Sequence, residues 1–522
     1  MAVGPMEALL EGTVLAVAAL PAGRVLLTAP IRRELRAHPL LATILVGGAA
    51  LAFALIAWAA FRSDPFRRVV VALAGLGALL ALLRARPGYG RSRGLPPGSL
   101  GLATSLDAID DPGFYAKAAD RWGPIFKMSQ IHRPVVCITD LPLGLEFLRT
   151  EDDALVQSNW SFNRLVPGGY LEYMNGDVHA RYRRIFAAAF TQEALQDSEE
   201  SITVVVRRQL AEMARSGSGG GVDPEPLLLP IALTSLLRAV LGVNADSERF
   251  VALRSLFTEL NRPLELFLPT PKVKLETYRA LTATIAKLAE SARRASPTTP
   301  GARSVLAHLL ESDPTQLDDE TVAGNVILMV KEGSIMVRGL LRWLLKMLAE
   351  DPRWTEQFRS VAADPARVDA LATNFVYETI RLYESRYVYR SVSRDVRLGP
   401  YRIPKGWLVR LCLGEAHERL DSFPEPSKFD PGRFAKGNPD SATFCPFGEG
   451  RHACLGADVA VAIAKTFVRE AALGYDLRTT GGGAAWRINR HWGLWRPSQQ
   501  LRIVVSPRTR PANSHRELTQ ST

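Results

Sequence analysis

The chain has 522 residues, of which 47% are hydrophobic and 22% charged. That supplies enough apolar material for one large domain with an appendage and excludes wholesale disorder. Its four cysteines, Cys137, Cys412, Cys445 and Cys454, show neither metal-finger spacing nor a dense disulfide framework, so a reducing compartment is the default. The net charge of +11 suits an anionic membrane surface or an acidic protein partner. Nucleic acid is the poorest fit, because the arginines are scattered and no basic helix is interleaved with exposed aromatics.

The N-terminal part differs from the rest. After residues 1–39, Leu40 to Phe61 is a run of 22 residues without a charge. At about 1.5 Å per residue such a run crosses a ~30 Å hydrocarbon core. Val69 to Leu83 adds a second, 15-residue apolar run, completing a hairpin or lying along the interface. Too many residues precede the first run for a cleaved signal peptide. We therefore expect a membrane anchor over residues 40–83, as one span or a hairpin. Arg84, Arg86, Arg91 and Arg93 favour a cytoplasmic catalytic body. Residues 84–101, with the paired prolines Pro96 and Pro97, predict a stiff linker.

From 102 to 508 the pattern is mainly helical with a minor β-sheet, and residues 509–522 form a polar tail. Helical periodicity runs around 110–122, 177–215, 246–258, 273–295, 319–350 and 365–383. Strand-like alternation is confined to Phe126 to Thr139, Val396 to Leu413 and Leu501 to Val505. Ser216 to Gly221 is a flexible loop and not a phosphate cradle, since no Lys-Ser/Thr step into a helix follows it.

The strongest chemistry lies at Phe447-Gly448-Glu449-Gly450-Arg451-His452-Ala453-Cys454-Leu455-Gly456, which precedes an expected helix. A cysteine at a helix entrance has its thiolate stabilised by free N–H groups and the helix dipole. Gly450 and Gly456 let backbone approach a flat ligand, and Phe447 can pack beside the sulfur. A buried structural cysteine before a helix would look the same on these grounds alone.

The segment resembles the cysteine-ligand loop of the cytochrome P-450 family: Phe, two residues, Gly, one residue, Arg or His, one residue, Cys, one residue, Gly. All those positions match, with His452 in the basic slot. The resemblance implies haem b (iron protoporphyrin IX) with the Cys454 thiolate as axial ligand. Three more segments resemble family motifs in the family's order. Glu378-Thr379-Ile380-Arg381 resembles its Glu-x-x-Arg helix. Phe429 to Phe434 resembles the segment whose arginine, here Arg433, joins that pair as structural support. His179 to Arg183 resembles its His-x-x-x-Arg helix, and with Arg390 implies contacts to the haem propionates. The resemblance covers about Pro96 to Val505.

One region departs from the family. Its central helix normally carries an acid–alcohol pair for proton delivery, whereas this chain has Glu332-Gly333-Ser334-Ile335-Met336. Gly333 is retained, but Ile335 and Met336 cannot relay a proton. Glu332, with Ser334, is the candidate replacement; the alternative is a Glu332 turned aside to pair with a neighbouring cation such as Lys331.

Three functions follow from the resemblance. The first is a monooxygenase acting on a lipophilic small molecule with dioxygen and a separate ferredoxin or flavoprotein reductase. The second is a haem-thiolate enzyme that rearranges peroxides or isomerises substrates without electrons. The third is a haem-binding protein with little turnover. Asn159 to Met174 and Phe267 to Pro271 fall where the family caps its pocket, and their apolar character suits a terpenoid, polyketide or fatty-acid derivative.

Overall fold

The computed structural model describes residues 94–508 apart from 101–103, 105–106, 109–110, 112, 131–132, 158–168, 218–219, 262–271, 295–302, 313–316, 385–386, 438, 481–486, 489–494 and 497–500. The expected anchor, the Phe267 to Pro271 loop, the polar tail and most of the linker lie outside these residues. Among the described residues no helix is long and apolar enough to cross a membrane.

The chain divides into two compact units. One comprises the chain up to Ser158 with Glu259–Arg279 and Tyr387–Cys412. The other comprises Asn159–Thr258, Ala280–Arg386 and Leu413–Thr522.

The first unit is built on a six-stranded mixed sheet. Its strands are β1 (Gly98–Ser99), β2 (Ile125–Gln130), β3 (Arg133–Ile138), β4 (Leu155–Val156), β5 (Tyr387–Val392) and β8 (Leu408–Cys412). They lie in the order β1-β2-β3-β8-β5-β4. A separate ribbon pairs β6 (Val396–Leu398) with β7 (Tyr401–Ile403). Helices α1 (Phe114–Trp122) and α2 (Leu141–Thr150) belong to this unit. Every residue of β8 is buried, as expected of a central strand. Asp140 caps α2 by accepting the Leu143 N–H at 3.0 Å. Gly144 allows the helix to sit on the sheet, since a Cβ there would come within 2.3 Å of Leu411 Cδ1. Arg410 in β8 is buried with its guanidinium 3.8 Å from the Tyr115 ring centroid and 4.2 Å from that of Tyr387.

The second unit is helical. It contains α3 (Gly176–Ala188), α4 (Gln192–Ser216), α5 (Glu225–Leu241) and α6 (Glu248–Leu260), followed by the C-terminal part of α7 (Lys272–Arg293). Next come α8 (Val305–Ser312), α9 (Asp319–Glu350), α10 (Pro352–Ser360), α11 (Pro365–Thr379), α12 (Leu413–His417) and α13 (Ala457–Gly474). Helix α9 has 32 residues, roughly 48 Å at 1.5 Å per residue. Asp318 caps it by accepting the Thr321 N–H at 2.7 Å and the Thr321 hydroxyl at 2.8 Å. It packs against α5 and α13. The buried run of α5 from Ile231 to Leu241 is apolar nearly all round, as an interior helix requires. Ion pairs tie the bundle at its edges: Arg342 to Glu225 at 2.7 Å, Arg207 to Glu470 at 2.6 Å and Lys465 to Asp369 at 2.7 Å.

The expectation of a mainly helical chain with minor sheet is met, with local differences, two of which concern the helix bounds. The periodic stretch 177–215 is two helices, because Thr191 starts α4 as its N-cap, accepting the Ala194 N–H at 3.2 Å. The stretch 365–383 ends its α-helix at Thr379 and continues as one wider π-turn over Ile380–Glu384.

Candidate haem-thiolate site

The loop before α13 folds on itself. Gly448 and Gly450 adopt left-handed φ angles of 73° and 71°. Those turns let the Gly448 N–H reach the Cys445 carbonyl at 3.2 Å and the Ala453 N–H reach the Gly450 carbonyl at 3.1 Å. The Cys454 N–H closes the loop on the Phe447 carbonyl at 2.9 Å. Gly456 then stands at the N-cap of α13. The four cysteines divide sharply: Cys137, Cys412 and Cys445 are buried, and Cys454 is exposed.

Helix α3 supplies the polar surroundings. His179 is 1% exposed, and its ring stacks on His452 with centroids 3.9 Å apart and planes inclined by 24°. Arg183 donates from Nη1 to the Ala453 carbonyl, one residue before the sulfur. Burial lowers the Arg183 pKa from its ordinary value, and the nearby charge of Cys454 opposes that shift. His179, Arg183, Phe447, Gly450, His452, Cys454 and Gly456 are thus together in one unit. Arg390 lies in the sheet unit, where its Nη1 donates to Gln157 Oε1 and to the Tyr389 carbonyl, both at 2.8 Å.

Behind the loop is a buried ion group. Glu378 and Arg381 both have fully buried side chains. Arg381 Nε and Nη2 donate to the two Glu378 oxygens at 2.7 and 2.8 Å, a bidentate pair. Arg433 Nε adds a third bond at 3.3 Å and the Asp430 N–H a fourth at 2.9 Å, both to Oε1. The remaining Arg381 donors reach the carbonyls of His417 at 2.9 Å and Pro426 at 2.8 Å. The buried carboxylate is therefore fully hydrogen-bonded and faced by two guanidiniums, the condition on which such burial is tolerated.

His417 was not legible as a site residue. It is fully buried, and its Nε2 accepts the Cys445 N–H at 3.0 Å. No local motif marks it, because its two partners lie 36 and 28 residues away in the chain.

On α9 the stretches 321–327 and 339–349 are buried, whereas Leu328, Met329, Lys331, Glu332, Gly333, Ile335, Met336 and Arg338 in the middle are partly exposed. Glu332 has a side chain 43% exposed, with Oε1 2.6 Å from Lys331 Nζ, so the pairing with a neighbouring cation is present. Ser334 is buried and donates to the Lys331 carbonyl at 2.8 Å, a bond within its own helix. Gly333 faces α5: a Cβ there would lie 3.1 Å from Leu236 Cδ1. Met336 is partly exposed one turn after Glu332. Asn325 pins the stretch before α3, accepting the Leu171 N–H at 2.7 Å and donating to the Gly169 carbonyl at 3.2 Å. Two residues further, burial raises the Tyr173 pKa from its usual value, and the charges of Glu172 and Glu332 raise it further.

These groups fit a haem. An exposed cysteine at a helix entrance offers a thiolate, one of the donors that haem iron takes from a protein. At Gly450 and Gly456 an added Cβ would meet nothing within 4 Å, leaving open ground beside that sulfur.

Residues 110–505 match the family model described as cytochrome P450. The chain belongs to the cytochrome P-450 family. It is 26% identical over 398 residues to abscisic acid 8'-hydroxylase 2 of Arabidopsis thaliana, covering 70% of this chain and 81% of that protein. It is 27% identical over 427 residues to abscisic acid 8'-hydroxylase 3 of Oryza sativa subsp. indica, covering 76% and 84%. Among solved structures, retinoic acid bound cyanobacterial CYP120A1 superposes with a TM-score of 0.67 at 23% identity, covering 80% of this chain and all of that one. Membership makes the chain a P-450 monooxygenase, a family whose cofactor is haem.

The ion group yields a prediction. Arg381→Met leaves the Glu378 carboxylate buried with one guanidinium in place of two. We expect a loss of about 3 kcal/mol or more. It reads out as a lowered unfolding midpoint and haem released during gel filtration; a wild-type midpoint with full haem retention contradicts the assigned role.

Proposed function

We propose that this chain is a membrane-anchored P-450 that hydroxylates a lipophilic small molecule, with Cys454 as the thiolate ligand of its iron. The observation that carries the reading is the exposure of Cys454 at the entrance of α13, beside His452 and Arg183, while the other cysteines are buried. His179 and Arg183 would hold the propionates, and Phe447, Gly450, His452 and Gly456 would line the thiolate side. Bound haem supplies reductive activation of dioxygen. The overall reaction places one oxygen atom in a C–H bond and the other in water, consuming two electrons and two protons. The catalytic domain is assigned to 102–508, the linker to 84–101 and the anchor to 40–83, with the catalytic domain on the cytoplasmic side; the end of the expected linker, Gly98–Ser99, is strand β1 and belongs with the catalytic sheet.

The named relatives support a substrate class. Those that act on abscisic acid favour a lipophilic acid. The apolar residues of the 159–174 segment and the partly exposed Leu328, Met329, Ile335 and Met336 of α9 suit such a molecule.

The chain must also bring protons to this side. Ile335 and Met336 carry none, and the Ser334 hydroxyl is committed to the Lys331 carbonyl. Glu332 is the remaining group. Its half-exposed carboxylate is open to solvent, and Tyr173 lies within its electrostatic reach. A proton taken from water by a Glu332 oxygen can be passed onward and replaced from solvent. The same missing pair at 335 and 336 favours a second reading, rearrangement of a peroxide or isomerisation without electron supply.

Four measurements test these readings. Cys454→Ala should abolish the thiolate-type band of the reduced, carbon-monoxide-bound protein; survival of that band sinks the ligand assignment. Purified protein with a reductase and reduced nicotinamide should consume dioxygen and form hydroxylated product, while Glu332→Gln should lower the product formed per reducing equivalent by about tenfold or more. Turnover of a peroxide with no electron donor establishes the second reading in place of the first. Deleting residues 1–90 should release the protein from membranes with haem binding intact, and continued sedimentation with membranes contradicts the anchor.

A further inference from the structure

The buried ion group and the cysteine loop are separate along the chain, and a single residue joins them. The His417 carbonyl accepts from Arg381 Nη1 at 2.9 Å, and its ring Nε2 accepts from the Cys445 N–H at 3.0 Å. From Cys445 the loop closes in two steps, Gly448 N–H to the Cys445 carbonyl at 3.2 Å and Cys454 N–H to the Phe447 carbonyl at 2.9 Å. Both ends of the loop are thus fixed, one from outside through His417 and one from inside through Phe447.

We infer that His417 is a positioning residue for the thiolate, acting as the hydrogen-bond acceptor that holds the start of the Cys454 loop against the Glu378–Arg381–Arg433 group. The inference rests on Cys454 being the iron ligand. An acceptor at Nε2 requires a neutral imidazole whose proton is on Nδ1. The surroundings enforce that state. The side chain is fully buried, its ring lies 5.0 Å from that of Phe444 and 6.5 Å from that of Phe423, and Arg381 is the nearby cation. Burial first, and the Arg381 charge second, hold the ring's pKa down to about 3. Without the acceptor, the Cys445 N–H would be a buried unpaired donor, and the loop would shift until that group found a partner. Such a shift carries Phe447, and with it the carbonyl that fixes Cys454.

Two substitutions separate acceptor from packing. His417→Gln places an oxygen acceptor near the position of Nε2 and removes the ring. His417→Phe keeps the ring between Phe444 and Phe423 and removes the acceptor. In the full-length haem protein, reduced and saturated with carbon monoxide, the glutamine variant should keep the thiolate-type band and the wild-type reduction potential. The phenylalanine variant should lose that band in mild denaturant about tenfold faster than wild type, the effect of one unsatisfied buried N–H. Equal behaviour of the two variants, or better behaviour of the phenylalanine variant, overturns the inference. A measurement on the unaltered protein is independent of how the variants fold. Hydrogen exchange at the Cys445 amide should be as slow as in the core of α13, and fast exchange overturns the inference. Persistence of the thiolate-type band in Cys454→Ala removes the ligand assignment and this inference together, whereas the variant and exchange outcomes bear on His417 alone.

Discussion

Much of the helical unit depends on one buried carboxylate. Glu378 has no contact with water, so its charge needs cations and N–H groups supplied from distant parts of the chain. Arg381 comes from the same turn of chain, while Arg433 and the Asp430 N–H come from more than fifty residues later. The guanidiniums in turn have donors to spare, and these are satisfied by the carbonyls of His417, Glu425 and Pro426. A segment with little regular secondary structure is thereby tied to α11 by polar bonds that cannot slide. Hydrophobic contact alone is non-directional and would leave such a segment several near-equivalent positions. The ion group contributes less net stability than a well-packed apolar cluster would, but it specifies one arrangement.

That fixed arrangement is passed to the sulfur through short steps. His417 connects the ion group to Cys445, left-handed glycines turn the chain, and Arg183 of α3 holds the Ala453 carbonyl from the other side. Cys454 can therefore be exposed and still be held in place, the combination a metal ligand needs. Its exposure is not a packing defect, because the backbone on both sides of it is bonded.

The legible and illegible parts of this site differ in range along the chain. Glu378 with Arg381, His179 with Arg183, and the residues from Phe447 to Gly456 are local patterns, in which chemistry demands given residue types at a given spacing. The 32-residue α9 was legible with its bounds, because it has an acidic cap and a sustained period. His417 and Asn325 carry no such pattern, since the groups they bond are 28 and about 150 residues away. Helix α5 offers little amphipathic period, being apolar on all sides and interrupted by Pro230. The wide turn at Ile380–Glu384 was read as ordinary helix; periodicity cannot reveal one extra residue in a turn. Arg410 lies within an otherwise apolar strand because Tyr115 and Tyr387 accept its charge, a solution that only the assembled sheet displays.

The two sides of the site are consequently under different constraints. On the thiolate side nearly every polar atom is bonded to something essential to the fold, and substitution disturbs the scaffold itself. On α9 the scaffold is secured elsewhere, by the Asp318 cap, by the Arg342–Glu225 pair and by stacking of Trp343 on Tyr383 at 4.1 Å. Gly333 is explained by the close approach of Leu236, so its retention reports on helix packing and not on oxygen chemistry. Ile335 and Met336 are partly exposed and take no part in those supports. The helix therefore keeps its geometry whether or not an acid and an alcohol stand there. A fold arranged in this way can keep the proposed ligand Cys454 in one place while the partly exposed middle of α9 changes, and the departure from the family pattern falls on that stretch.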